Sequence, residues 1–179
     1  MIEARDPVMA WFGIGGNLGD RMANVTYALT LLAETCADLR TSNVFETPPW
    51  GDVDQPSFLN LVARGSTRLG PDALLARVKE IETLVGRRPT RRWGPRIVDV
   101  DILAYGNLVV TKPGLDIPHA RMAERAFVMV PLADIDPSWV HPRLGVTAAV
   151  LVDALPSEER NEVVNLGPAP QFDGGATLA

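Results

Sequence analysis

Two aspartates, Asp99 and Asp101, interrupt an otherwise apolar segment, IVDVDILAY at residues 97–105. The valines and isoleucines favour a β-strand, in which residues i and i+2 point to the same face. We therefore expect both carboxylates on one face, roughly 6–7 Å apart along the backbone. Left unpaired, they would repel each other and raise the pKa of at least one. Mg²⁺, which binds carboxylate oxygens together with substrate phosphates, would relieve that repulsion.

An arginine-rich loop precedes this strand. Within ten residues lie Arg87, Arg88, Arg91, Arg92 and Arg96, in a chain that has only two lysines. The planar guanidinium group matches phosphate oxygens better than the point charge of lysine does. Cations beside carboxylates that can hold a metal are what a polyphosphate site requires. The residues favour such a metal–polyphosphate site, and salt bridges from Arg92 and Arg96 to the aspartates are the structural alternative.

A second group of residues could bind a flat heterocycle. Phe58 and Asn60 in DQPSFLN share one strand face, where an aromatic ring could stack and an amide could form paired hydrogen bonds. A core role for Phe58 and an edge position for Asn60 are equally consistent with the pattern. His119, in LDIPHARMAERAFV, is a lone histidine after proline, which is more often structural than catalytic. GIGGNLGDR lacks the third glycine of GxGxxG, so its glycines are predicted to shape a turn.

The elements that must position these residues follow from hydrophobic periodicity and turn residues. The predicted order is strand 8–14, helix 20–36, strand 39–47, strand 58–69, helix 71–85 and strand 97–105, followed by short helices at 122–136 and 146–154. This β-α-β-β-α-β order is that of the ferredoxin-like arrangement, an α+β fold with an antiparallel sheet and helices packed on one face. Alternation along the last strand assigns to the core Val98, Val100, Ile102 and Ala104.

Composition and charge narrow the function classes. A 179-residue chain can bury one core, so residues 1–164 are predicted to form a single domain, and residues 165–179, which lack a core pattern, a flexible tail. The net charge of −5 argues against a general nucleic-acid surface. The N-terminal residues show neither a signal peptide nor a membrane span, and the single cysteine, Cys36, excludes an internal disulfide framework. We expect a soluble, cytoplasmic monomer.

Four segments, taken in order, resemble one enzyme family. They are GGNLGDR, ETPPWG with DQPSFLN, RRWGPRIVDVDILAYG, and IPHARMAERAFVMVPLADI. Together they resemble 6-hydroxymethyl-7,8-dihydropterin pyrophosphokinase of folate biosynthesis, over about residues 10–154. The resemblance implies transfer of diphosphate from ATP to the hydroxymethyl group of the pterin, with release of AMP. It implies ATP and 6-hydroxymethyl-7,8-dihydropterin as the partners, and neither nucleic acid nor membrane.

The resemblance also implies roles for individual residues. Asp99 and Asp101 match residues that hold two magnesium ions on the triphosphate. Catalytic roles are implied for Arg87, Arg96, Asp99 and Asp101. The ATP-binding positions are Lys79, Glu82, Arg92, Trp93, Arg96, Ile102, His119 and Arg125. The pterin-binding positions are Thr47, Pro48, Pro49, Trp50, Phe58, Asn60, Trp93 and Phe127. Loops 48–56 and 86–93 resemble mobile loops that close over the substrates.

Two other functions remain as alternatives. A metal-dependent phosphohydrolase could use the same pair of aspartates on a nucleotide. A ferredoxin-like RNA-binding module could use the arginine-rich loop, although the acidic total charge and the lack of an aromatic RNA-binding motif count against it. For a magnesium-binding Asp99, we expect Asp99→Asn to abolish turnover and to leave the metal-free protein as stable as before or slightly more so.

Overall fold

The fold is built around an antiparallel sheet. The computed structural model describes residues 6–49, 54–88 and 94–173. The strands, numbered along the chain, are β1 (Val8–Gly16), β2 (Ala37–Thr41), β3 (Asn43–Thr47), β4 (Phe58–Thr67), β5 (Asp99–Tyr105), β6 (Val110–Lys112), β7 (Leu115–Ile117) and β8 (Val164–Pro168). The main sheet has the order β5-β1-β4-β3-β8, with β2 also paired to β4, and its strands pair antiparallel. The predicted mixed fold with an antiparallel sheet is confirmed.

Two helices cover one face of this sheet. Helix α1 (Arg21–Ala33) begins at Asp20, whose carboxylate accepts a hydrogen bond from the backbone N–H of Ala23 at 3.0 Å. Helix α2 (Pro71–Val85) begins with a proline and ends at Gly86, whose φ of 107° favours a residue without a β-carbon. The apolar stripes of both helices pack into one core with this face of the sheet. The turn at Gly86 starts the arginine-rich loop beside β5.

Helix α3 (Ala126–Ile135), which falls within the short helix predicted at 122–136, packs on the opposite face of the sheet. Large apolar side chains on that face, Trp11 and Leu103 among them, would otherwise be exposed to water, and the apolar residues of α3 bury them. Two short helices follow, α4 (Ala148–Ala154) and α5 (Ser157–Asn161). No helix in the described part of the chain combines the length and the apolar character needed to cross a membrane.

Strand β5 follows the predicted alternation only as far as Ile102. Val100 and Ile102 enter the core beneath α1 and α2, as predicted. The pairing with β1 then shifts by one residue at Leu103, a β-bulge. After the bulge, Ala104 packs beside α3, and Tyr105 packs in the core beneath α1 and α2. The predicted face of Ala104 is therefore wrong. The bulge lies after the two aspartates, which therefore keep their common face.

The prediction of a flexible tail at residues 165–179 is wrong for residues 165–173. Strand β8 pairs antiparallel with β3. Phe172, which follows this strand, packs in the core beneath α1 and α2 with 8% of its surface exposed. Val164 and Leu166 stay about half exposed, so backbone hydrogen bonds hold this strand more than side-chain burial does. A strand held in this way lacks the hydrophobic alternation that would reveal it in the sequence.

Candidate active site

A cleft opens on the second face of the sheet, beside α3. Its empty volume is about 890 Å³, including open solvent at its mouth. Strands β1, β4 and β5 contribute its floor, and α3 with the segment before it contributes a wall. Of the residues that the sequence predicted for the site, the cleft is lined by Thr47, Pro48, Phe58, Asn60, Arg96, Asp99, Asp101, His119, Arg125 and Phe127. Residues from all three predicted groups, those for the metal, the nucleotide and the heterocycle, therefore share one cavity.

The floor is bare along β1 because Gly13 and Gly15 stand there. The strand register places Gly15 between Asn60 of β4 and Asp99 of β5. The prediction that the glycines of GIGGNLGDR shape a turn is wrong for these two, which lie inside the strand. Gly19, with a φ of 65°, does lie in the turn. Backbone pairing across three strands, which no local pattern reports, decides this arrangement.

Asp99 forms two ion pairs at the edge of the cleft. Its Oδ1 lies 2.6 Å from Nη1 of Arg87, and its Oδ2 lies 2.6 Å from Nη1 of Arg96. Burial alone would raise the pKa of Asp99, but the two guanidinium groups outweigh burial and lower it. The predicted ion-pair alternative is therefore present for Arg96, and Arg87 forms the second pair. Each oxygen of Asp99 therefore pairs with one guanidinium group.

Glu82, a residue of α2 that contacts β5, forms an ion pair with Arg87. Its side chain is only 4% exposed, and its Oε1 accepts hydrogen bonds from Lys79 Nζ at 2.8 Å and from the backbone N–H of Val100 at 2.9 Å. The same oxygen lies 2.5 Å from Nη1 of Arg87. Burial raises the pKa of Glu82, and Lys79 partly offsets this. Glu82 thus ties α2 to β5 and fixes the direction from which Arg87 reaches Asp99.

Asp101 is placed differently from Asp99. Within residues 6–49, 54–88 and 94–173, its carboxylate has neither a hydrogen bond nor an ion pair. Burial raises the pKa of Asp101, the charge of Asp99 raises it further, and His119 opposes both. The described residues contain no cluster of three acidic, histidine or cysteine side chains that could hold a metal alone. Two carboxylates completed by ligand phosphates are nevertheless a donor set that fits Mg²⁺.

The far end of the cleft suits a heterocycle. Asn60 Nδ2 donates a hydrogen bond to Thr47 Oγ1 at 2.7 Å, which orients the amide. Its Oδ1 has no hydrogen-bond donor among the described residues and is available to a ligand. Phe58 and Phe127 both line this end, and the guanidinium carbon of Arg125 lies 5.6 Å from the centroid of the Phe127 ring.

His119 lines the cleft beside β5. Its backbone N–H donates to the carbonyl oxygen of Leu103 at 2.9 Å, and its Nδ1 accepts from the backbone N–H of Arg121 at 3.3 Å. Burial lowers the pKa of His119, although Asp101 opposes this. The imidazole is therefore biased toward the neutral form, with Nε2 as the nitrogen left for a ligand.

Comparison with known proteins identifies the family. The sequence model for 7,8-dihydro-6-hydroxymethylpterin-pyrophosphokinase (HPPK) matches residues 11–137. The chain belongs to this family. The 2-amino-4-hydroxy-6-hydroxymethyldihydropteridine pyrophosphokinases of Methylorubrum extorquens and Aquifex aeolicus are 44% and 38% identical to it, over 73% and 74% of this chain and 84% and 82% of theirs. The resemblance found in the sequence motifs is confirmed.

Other HPPK relatives are longer proteins. The folic acid synthesis protein FOL1 of Dictyostelium discoideum is 37% identical over 90% of this chain, which spans only 24% of that protein. Among solved structures, wild-type Plasmodium falciparum HPPK-DHPS with pteroate superposes with a TM-score of 0.70 over 86% of this chain and 43% of its own, at 17% identity. At that identity the structure supports the fold alone.

Some residues predicted from the HPPK resemblance lie outside the cleft. Lys79 and Glu82 stand behind β5, where they pair with each other. Ile102 is 5% exposed in the core on the opposite face, so any role in nucleotide binding would use its backbone. Pro49 and Arg87 do not line the cleft, although Arg87 reaches it through Asp99. Three predicted positions, Trp50, Arg92 and Trp93, lie outside the described residues.

Asn17 is a site residue that the sequence reasoning missed. It is 2% exposed, and its Nδ2 donates to Gln55 Oε1 at 2.9 Å and to the carbonyl oxygen of Pro56 at 3.0 Å. Its Oδ1 accepts from the backbone N–H of Arg96 at 2.8 Å. One amide therefore ties the segment before β4 to the segment before β5. The asparagine in GGNLGDR has the pattern of an ordinary turn residue, so its hydrogen bonds to two distant segments gave no local signal.

Proposed function

We propose that this chain transfers diphosphate from ATP to the hydroxymethyl group of 6-hydroxymethyl-7,8-dihydropterin, giving AMP and the pterin diphosphate in folate biosynthesis. The observation that carries the proposal is the single cleft. It joins an amide and aromatic rings suited to a heterocycle with a carboxylate pair and arginines suited to a metal-bound triphosphate. Family membership supports the same activity, 2-amino-4-hydroxy-6-hydroxymethyldihydropteridine diphosphokinase.

Asp99 and Asp101 would hold Mg²⁺, with two ions expected when ATP is bound. Bound Mg²⁺ supplies charge neutralisation at the triphosphate and lowers the barrier to attack by the hydroxyl group. Arg87 and Arg96 exchange the carboxylate of Asp99 for phosphate oxygens, since both guanidinium groups already lie at the edge of the cleft. Neutral His119 donates to the ribose–phosphate part of ATP, and Arg125 adds positive charge there.

The bond changes are those of a single displacement. The hydroxymethyl oxygen forms a bond to the β-phosphorus, and the bond from that phosphorus to the α,β-bridging oxygen breaks. AMP leaves with the bridging oxygen, and the hydroxyl proton passes to solvent. Thr47 and Asn60 hydrogen-bond the heterocycle while Phe58 and Phe127 stack on it, which fixes the direction of the attacking oxygen. The loops predicted to close over the substrates, 48–56 and 86–93, include residues 50–53 and 89–93, which lie outside the described part of the chain.

The finer description of fold and assembly is also a proposal. The ferredoxin-like arrangement is supported by the strand order, in which β4 and β5 flank β1 and the strands β2 and β3 lie beyond β4. We expect a monomer that works in the cytoplasm with ATP and the pterin as its partners. The net charge of −5 is consistent with a protein that does not bind nucleic acid generally.

Product analysis tests the proposed activity. The protein is incubated with ATP, Mg²⁺ and 6-hydroxymethyl-7,8-dihydropterin, and nucleotides and pterins are separated by chromatography. AMP and the pterin diphosphate should accumulate in equal amounts, and only when the pterin is present. ADP or free phosphate as the main product would refute the proposal and would favour a phosphohydrolase.

A further inference from the structure

Gly15 stands at the centre of a row of three residues across the cleft floor. Its pairing partner in β4 is Asn60, and its partner in β5 is Asp99. Because neighbouring strands lie about 4.8 Å apart, the backbones at the two ends of the row are about 10 Å apart. Gly15, which has no side chain, is the only residue in this row between the Asn60 amide, proposed to bind the heterocycle, and the Asp99 carboxylate, proposed to bind the metal.

The Asn60 amide occupies the space that a side chain at position 15 would need. A β-carbon built on Gly15 would meet Asn60 Oδ1 far inside van der Waals contact, and would meet the carbonyl oxygen of Leu59 at 3.2 Å. From its other side the amide is held by the 2.7 Å hydrogen bond to Thr47 Oγ1. Two contacts thus fix its orientation, and one of them depends on the absence of a side chain at Gly15.

We propose that Gly15 is a positioning residue for the pterin, an inference that rests on the proposed function. Its missing side chain lets the Asn60 amide lie over β1 with Nδ2 on Thr47 and Oδ1 available to the substrate. A methyl group at position 15 displaces the amide, because the end of a side chain moves more easily than the backbone. Pterin binding then weakens, while the ATP end of the cleft keeps its contacts.

The neighbouring glycines of β1 show that this effect is specific to position 15. A β-carbon at Gly13 would meet only the flexible side chain of Leu103, at 3.3 Å. A β-carbon at Gly16 would collide with the backbone carbonyl group of Ile97, which cannot move without displacing the start of β5. The same added methyl group is therefore expected to repack an apolar side chain, to displace the Asn60 amide, or to damage the fold, depending on the glycine.

The test measures binding of 6-hydroxymethylpterin by calorimetry, with Mg²⁺ and a saturating non-hydrolysable ATP analogue present. Gly15→Ala should raise the Kd for the pterin about 10-fold or more, the effect of losing one or two hydrogen bonds, and should change the Kd for the ATP analogue less than about 2-fold. In the ligand-free protein, NMR should show shifted side-chain amide signals of Asn60, which a merely structural role of Gly15 would not move selectively.

A double-mutant cycle separates the amide from general damage. In an Asn60→Ala background, Gly15→Ala should weaken pterin binding less than about 2-fold further, because the group that it displaces is gone. Gly13→Ala is the matched comparison, and its effect should add to that of Asn60→Ala without coupling. Additive effects of Gly15→Ala and Asn60→Ala would overturn the inference.

Three further outcomes are decisive. If wild-type protein does not bind the pterin, the proposed function fails and the inference fails with it. If wild-type protein binds but Asn60→Ala or Gly15→Ala leaves the Kd unchanged, the inference alone is overturned. If Gly15→Ala does not fold, the double variant decides: regained folding supports the amide as the obstacle, and continued unfolding overturns the inference, because the Leu59 carbonyl group is then the obstacle.

Discussion

Asp99 and Asp101 should respond in opposite ways to the same substitution in the ligand-free protein. Both carboxylate oxygens of Asp99 form ion pairs at 2.6 Å, with Arg87 and Arg96. Asp101 has no such partner among the described residues, and it is partly buried beside the like charge of Asp99. We therefore expect Asp99→Asn to destabilise the fold and Asp101→Asn to leave its stability unchanged or slightly increased. The ion pairs reverse the expectation for Asp99→Asn that the sequence suggested.

The size of the effect follows from the exposure of the partners. Breaking a fully buried ion pair costs about 3–5 kcal/mol, whereas an exposed pair contributes about 0–1 kcal/mol. The side chains of Asp99, Arg87 and Arg96 are 23%, 29% and 20% exposed, which places these pairs between the two limits. Asparagine keeps one oxygen acceptor, so we expect a loss of about 2 kcal/mol for Asp99→Asn. For a chain of this length, that lowers Tm by about 4–8 °C.

Denaturant unfolding without Mg²⁺ or ATP, at neutral pH, measures both variants. Asp153→Asn is the matched control, since its side chain is 83% exposed and its ion pair with Arg160 is long, at 3.7 Å. That control should change the free energy of unfolding by less than about 0.5 kcal/mol. Both cleft variants should lose turnover. If Asp99→Asn is no less stable than Asp101→Asn, the ion pairs do not hold the ligand-free site together and the reasoning is refuted.

Three other predictions concern residues outside this pair. Because burial lowers the pKa of His141, wild-type stability should fall as pH drops below about 6.5, where the unfolded chain gains the proton first. In His141→Asn, whose amide can still accept the local backbone hydrogen bonds, thermal scans should show less of this loss. Phe172→Ala should lower the free energy of unfolding by about 2–4 kcal/mol, against under about 0.5 kcal/mol for exposed Val164→Ala, and an equal effect of the two would contradict a folded segment there. Asn17→Ala should lower the free energy of unfolding by about 1–3 kcal/mol in denaturant titrations, because it removes the three hydrogen bonds through which one buried amide joins two segments; an unchanged midpoint would show that water replaces the amide.

The chemistry of the site could be predicted from the sequence where it depends on local geometry. Period-two alternation predicted that Asp99 and Asp101 share one face of their strand, and that Phe58 and Asn60 share one face of theirs. All four residues line the cleft. The predicted starts of the two long helices, at residues 20 and 71, are equally local, and the structure begins these helices after the cap residue Asp20 and at Pro71. Such features depend on residues within one turn or one strand, which is the range that a sequence pattern reports.

The remaining features depend on contacts between distant segments. The bulge at Leu103 arises from the pairing of β5 with β1, and the strand at 164–168 from pairing with β3, so neither has a hydrophobic pattern of its own. The choice of Arg87 as a partner of Asp99 depends on Glu82, which reaches Arg87 from α2. The sequence pointed to Arg92 and Arg96 as the ion-pair partners, whereas the structure shows Arg87 and Arg96.

The structure also explains how two like charges can stand two residues apart on a half-buried strand. Asp99 is neutralised by arginines, and within the described part of the chain only Asp101 of the two lacks an ion pair, so the repulsion between them is smaller than the sequence suggests. A cation at this pair must compete with Arg87 and Arg96 for the oxygens of Asp99. A triphosphate offers those arginines an equivalent set of oxygens. The pair is therefore best suited to a metal that arrives with its nucleotide, because the same ligand then satisfies the arginines and completes the metal coordination.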